Sequence, residues 1–184
     1  MSIDVHEASA ALDEIDAMRH RIRQSRIYRK TSAIIAVWGA LTFIGYVATY
    51  AAPRLAIVAW PLVYIVGVIA TFAISIADRD KTSGRALEIK LLIGFVILVA
   101  FGLLWSRGFA QFSPRALSAF WPTYFMLAYT LAGLWLGAAF MIIGLGITAL
   151  TVLGFLLAGD TFDLWMAIVN GGGLLLGGLW MRRG

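Results

Sequence analysis

The sequence predicts an all-α, polytopic membrane protein. Six transmembrane helices form three hairpins of like orientation behind an N-terminal cytoplasmic amphipathic helix. Three observations predict this. The chain has 184 residues, 61% hydrophobic and only 14% charged, where a soluble domain carries about 25% charged residues. Its charges are segregated: no Asp, Glu, Lys, Arg or His falls in 31–53, 55–77, 91–106 or 116–159, and about 20 apolar residues suffice to cross hydrocarbon. The basic residues also alternate between sides. With the N-terminus in the cytoplasm, 12 Lys and Arg fall inside and three (Arg54, Arg107 and Arg115) outside, a strong positive-inside bias. Five spans would put Arg182 and Arg183 outside and weaken it.

Residues 1–30 form the first unit, and 31–184 the six-span bundle. In the first, Asp4 with Glu7 three residues on resembles a helix-start box. Val5, Ala8, Leu12, Ile15 and Ile22 make a narrow apolar seam, with Arg19 where another apolar residue is expected. Acids gather in its first half and bases in its second, which complements the helix dipole. Two readings stand. The helix is solvated with its basic end on anionic lipid headgroups, or the seam Val5, Leu12, Ile15, Ile22 binds a cytoplasmic protein or a second copy through residues 4–28.

The spans follow at about 31–50, 55–77, 87–106, 116–136, 138–158 and 162–181. The first lies behind a charged segment and is expected to stay, not to be cleaved as a signal. Lys90, in the first turn of the third, can snorkel to headgroups. Residues 116–159 hold no charge. A single helix of that length would be about twice the membrane thickness, so the chain must turn, between Gly133 and Ala138.

The hairpin reading rests on a repeat. Residues 53–61 read PRLAIVAWP and 114–122 read PRALSAFWP, so Pro53, Arg54, Trp60 and Pro61 recur as Pro114, Arg115, Trp121 and Pro122, and Trp165 stands at the same depth in the sixth span. Parallel repeats imply a pseudo-axis along the membrane normal. Proline in a first helical turn forfeits no hydrogen bond, and tryptophan belongs at the membrane interface. Arg54, Trp60, Pro61, Arg115, Trp121, Pro122 and Trp165 are therefore expected as interface anchors. An outer ligand site built on the tryptophans is the alternative.

Chemistry is sparse. The chain has no Cys and only two His, His6 and His20, both before the first span, so neither a thiolate site nor a haem held by membrane histidines is expected, and no metal or other cofactor. No Asp or Glu falls at mid-membrane, where proton-coupled transporters keep one. Asp160 and Asp163 are expected to cap the sixth span, not to form a catalytic pair. Among intramembrane polar groups Asn170 stands out, followed by Gly171, Gly172 and Gly173. It either bonds across helices or, with Tyr64, Tyr124 and Tyr129, contacts a ligand.

The basic balance, with a net charge of +5, points to lipid and not to nucleic acid, because the charges flank apolar runs. The excess of Arg over Lys hints at a bacterial source, and the expected site is the bacterial inner (plasma) membrane, with both termini cytoplasmic. The expected function is a non-enzymatic sensor, regulatory or scaffold protein that couples its bundle to a cytoplasmic partner through the N-terminal helix. The alternative is a transporter or channel subunit, as an oligomer, for a small neutral or apolar solute.

Overall fold

A computed structural model describes residues 31–77 and 85–183, together with Glu14 and Met18. The seam residues Val5, Leu12, Ile15 and Ile22 and the 78–84 connection lie outside the described residues, as do the side chains of 85–91 and 183. The described chain is helical, without a strand. Five of its helices are long and apolar enough to cross a membrane: Thr31–Ala51, Pro53–Ala77, Leu92–Phe109, Ala138–Leu157 and Gly159–Arg182.

Helix α1 is Thr31–Ala51. A single 3-10 turn, Pro53–Leu55, leads into α2, Ala56–Ala77. Helix α3, Arg85–Leu103, continues as a π turn, Leu104–Phe109. Helix α4, Pro114–Leu136, is 23 residues long but more polar than the five, because Trp121, Thr123, Tyr124, Tyr129 and Thr130 interrupt its apolar run. Helix α5 is Ala138–Leu157. After a 3-10 turn at Gly159–Thr161, one rod combines α6 (Phe162–Met166), a π turn (Ala167–Gly172) and α7 (Gly173–Arg183).

Local chemistry sets the ends. Pro53 and Pro114 open their helices, where a missing N–H removes no bond. The Ser113 hydroxyl accepts from the Ala116 amide at 3.2 Å and caps α4. The turn expected between Gly133 and Ala138 falls on Gly137, whose φ of 129° is open only to glycine. Asp160 and Asp163 do not cap as expected. Thr161 holds the cap position of α6 without a side-chain bond, and Asp163 lies within the first turn, where its charge meets the dipole.

Pro61 and Pro122 instead lie inside α2 and α4. An interior proline leaves the carbonyl four residues earlier without its amide. For Pro122 that carbonyl belongs to Ser118. The hydroxyl of Tyr46, 1% exposed, donates to it at 2.8 Å.

The bundle packs in two ways. Helices α4 and α5 run side by side, and α5 also meets α6 and α7. Glycine brings backbones together here. A Cβ on Gly39 of α1 would lie 2.8 Å from the Gly171 carbonyl, one on Gly171 would lie 2.6 Å from Phe43 Cα, and one on Gly133 would lie 2.7 Å from the Met141 amide. The core between these helices holds Ile35, Met126, Phe140, Ile143, Ile147 and Val169. Helices α2 and α3 sit outside it: Val63 and Gly67 are the buried residues of α2, where Val63 meets Gly45 of α1 and the Trp38 ring covers Gly67.

Three further indoles lie on glycines. Trp60 covers Gly45, Trp121 covers Gly102 and Trp165 covers Gly154. Trp60 Nε1 donates to Thr49 Oγ1 at 3.1 Å and Trp165 Nε1 to the Leu150 carbonyl at 2.9 Å.

Candidate functional site: an aromatic cluster between α1 and α4

Rings from three helices meet at Tyr64. Its centroid lies 6.1 Å from Trp38 of α1, 6.2 Å from Trp60 and 6.3 Å from Trp121 of α4. Trp38 reaches Phe95 of α3 at 6.5 Å, and Phe95 stacks on Phe125 at 6.2 Å. Trp121 adds Phe125 at 5.8 Å and Tyr124 at 6.3 Å, and Tyr46 meets Trp60 edge-on at 4.8 Å. These separations and tilts are those favoured between aromatic rings. The cluster replaces backbone contact between α2, α3 and α4, and most of its rings are half-buried.

Several polar tips in the cluster are satisfied. Trp38 Nε1 donates to Thr71 Oγ1 at 3.1 Å, and Thr71 bonds the Gly67 carbonyl beneath it. Trp60 and Tyr46 have the partners given above. The neutral hydroxyls and indoles here can donate, accept and stack, and none carries charge at neutral pH.

The four ligand candidates separate. Tyr64 and Tyr124 both lie against Trp121. Tyr129 turns towards α5, 6.1 Å from Phe140. Asn170 lies between α1 and α5, because Gly171 beside it touches Phe43 and Gly173 touches Ile147. It is 4% exposed, and its Oδ1 has no hydrogen-bond partner. Its helix widens there into a π turn, and π turns recur at functional positions. Thr151 Oγ1, also buried, has no partner either. The contacts Gly154–Trp165 and Ile147–Gly173 bracket Thr151 and Asn170 at one level of the α5 interface.

The two arginines of the repeated motif differ. Arg54 is exposed. Arg115 turns inward, donates to the Phe155 carbonyl at 2.8 Å and lies over the rings of Phe155 and Phe162 at 5.3 and 5.4 Å. That carbonyl belongs to the last turn of α5, where carbonyls lack amides and the dipole favours a cation. Pro61 is exposed, whereas Pro122 is buried. Trp165 covers Gly154 with its edge exposed.

Tyr46, Trp38, Phe95 and Phe125 escaped the sequence reading. Tyr46 had a signal: Pro122 frees a carbonyl that some donor must meet. The rest sit in apolar runs where one ring looks like another. Among the described residues no group of three or more acidic or histidine side chains converges for a metal. The chain matches no family of known proteins, no curated protein and no solved structure.

Proposed function

We propose that this chain is a six-span membrane sensor or regulatory protein, non-enzymatic, whose bundle takes up a small apolar ligand and whose N-terminal helix carries the state to a cytoplasmic partner. The observation that carries this reading is the character of the interior. The buried polar side chains among the described residues are Ser32, Thr42, Ser106, Thr151 and Asn170; none of them transfers a proton near neutral pH. Beside them lies an aromatic cluster suited to an apolar guest.

The sixth span is α4. Trp121 near its start and Trp135, 79% exposed at its end, stand about 20 Å apart along the helix. Trp165 and Trp180 stand about as far apart on the last rod. That separation is shorter than the roughly 30 Å hydrocarbon core, so these indoles stand just inside the two interfacial belts, while the 23 residues of α4, about 34 Å long, reach across. The Pro53, Pro114 and Gly159 turns then face outward, both termini lie in the cytoplasm, and the bacterial inner membrane fits the charge pattern. Trp60, Trp121 and Trp165, each seated on a glycine of the preceding helix, support the reading of three like hairpins, with Arg54 and the exposed indoles as anchors.

The partner test is deletion of residues 2–25 from the full chain. Insertion should persist and co-purification of cytoplasmic protein should vanish; an unchanged set of partners would refute the coupling role. The Asn170 π turn favours a second reading, a conduit for a small neutral solute. Liposome flux lost in Asn170→Leu would support it, and absence of flux for every solute class would remove it.

A further inference from the structure

Three donors in the aromatic cluster are open among the described residues. Tyr64 Oη, Trp121 Nε1 and Tyr124 Oη make no hydrogen bond among the described residues, while Trp38, Tyr46 and Trp60 all do. All three residues are half-buried, and none of these polar atoms is sealed from outside. Their rings are neighbours, since Tyr64 and Tyr124 each lie 6.3 Å from the Trp121 ring.

A fourth unpaired group lies on α3. Trp121 and Tyr124 cover Gly102 of α3, and Ser106 lies one turn further on. Ser106 is 1% exposed and its Oγ has no partner. The Trp60 seat gives the comparison: Thr49, one turn past Gly45, accepts from the Trp60 indole. At the Trp121 seat the equivalent hydroxyl belongs to Ser106, in the π turn, and the indole bond is unmade.

Depth makes these open donors significant. Counting from Ala56 and Pro114, Tyr64, Trp121 and Tyr124 lie about 10–15 Å along their helices, below an interfacial layer roughly 5–7 Å thick. Headgroup water does not serve them there, and unpaired donors in hydrocarbon are costly. Their complement is an acceptor on a molecule that itself dissolves in hydrocarbon.

We propose that Tyr64, Ser106, Trp121 and Tyr124 form a binding site for a lipid-soluble carbonyl compound. The carbonyl oxygen accepts from the phenols and the indole, and the apolar body lies against Phe95 and Phe125. That carbonyl belongs either to a free ketone or quinone in the bilayer or to the ester of a phospholipid. The site rests on the sensor reading and supplies its ligand class.

The test uses the full chain in nanodiscs of ether-linked phosphatidylcholine, which lacks ester carbonyls, titrated with 2,3-dimethyl-1,4-naphthoquinone and separately with 2,3-dimethylnaphthalene. The unfolding temperature is read. A free ligand predicts a saturable rise with the quinone and none with the hydrocarbon, its half-saturation weakened about fivefold by Tyr64→Phe and by Tyr124→Phe. A lipid ester predicts instead that the protein is more stable in ester than in ether nanodiscs, with the difference lost in the Tyr64→Phe/Tyr124→Phe double variant. No response to quinone or ester, or a response the double variant keeps, overturns the site. The measurement needs no protein partner, so its failure is separate from failure of the deletion test.

Discussion

Replacing Tyr46 with Phe removes one oxygen, and its cost depends on a proline on another helix. The Tyr46 hydroxyl donates at 2.8 Å to Ser118 O, whose own helical partner would be the amide of residue 122, a proline without one. Tyr46→Phe keeps the ring against Trp60 but leaves that part-buried carbonyl bare. A net hydrogen bond is worth about 1 kcal/mol, and stranding the acceptor raises the loss to about 1–3 kcal/mol. In a Pro122→Ala background the amide restored at position 122 returns to Ser118 O, so the same change should cost under about 1 kcal/mol. The double-mutant cycle should therefore give a coupling of about 1–2 kcal/mol. Reversible unfolding in mixed micelles, followed by tryptophan fluorescence, measures all four proteins. Additive effects, within about 0.5 kcal/mol, would refute the link between Pro122 and Tyr46.

Neighbouring glycines should respond differently to alanine. Gly171→Ala puts a Cβ 2.6 Å from Phe43 Cα, whereas Gly172 has nothing within 4 Å; the first should lose about 1–3 kcal/mol and the second none, and equal midpoints in the same unfolding assay would contradict the packing of α1 on the last rod. Arg115→Ala should destabilise by about 1–2 kcal/mol through the lost α5 carbonyl bond, while Arg54→Ala should change stability by less than about 0.5 kcal/mol; thermal midpoints at two salt concentrations compare them. The chain has no cysteine, so single replacements report topology. A membrane-impermeant maleimide added to intact cells should label Ala110→Cys and Asp160→Cys but not Ser83→Cys or Gly184→Cys, and labelling of position 184 would rule out six spans.

Helices were legible because charge is excluded from them, and the α4–α5 turn because one helix cannot be twice the membrane's thickness. Which face of each helix packs was not legible. Alternation and heptads report burial against water, whereas lipid and protein interior are both apolar. Ile57 is 80% exposed and Ile35 fully buried, yet both are isoleucines in uncharged runs. Glycine spacing carried part of that missing signal. Gly171 and Gly172 still look alike in sequence, and only the neighbouring Phe43 separates them. Of the candidate site, Tyr64 and Tyr124 could be named because hydroxyls stand out in an apolar run. That they share Trp121, and that Asn170 and Tyr129 lie elsewhere, follows from helix rotation, which composition does not encode.

The two packing modes bear on how a ligand signal would travel. Backbone-to-backbone seats, such as Gly39 on Gly171 and Gly133 on Met141, tolerate little displacement, because close-packed atoms have no slack. Side chains, mostly rings, attach α2 and α3 instead, and rings can slide or tilt over one another at small cost, since each aromatic pair adds only about 0.5–1.5 kcal/mol beyond its buried area. A guest among Tyr64, Trp121 and Tyr124 would therefore displace α2 and α3 against a fixed α1, α4, α5 and α6–α7. In the proposed topology the charged 78–90 segment joins these two helices on the cytoplasmic side, the side assigned to the basic residues 19–30. A shift of that segment by a few ångströms would change the field at residues 19–30 without any movement of the rigid half, and a state change so confined needs no charged group inside the bundle.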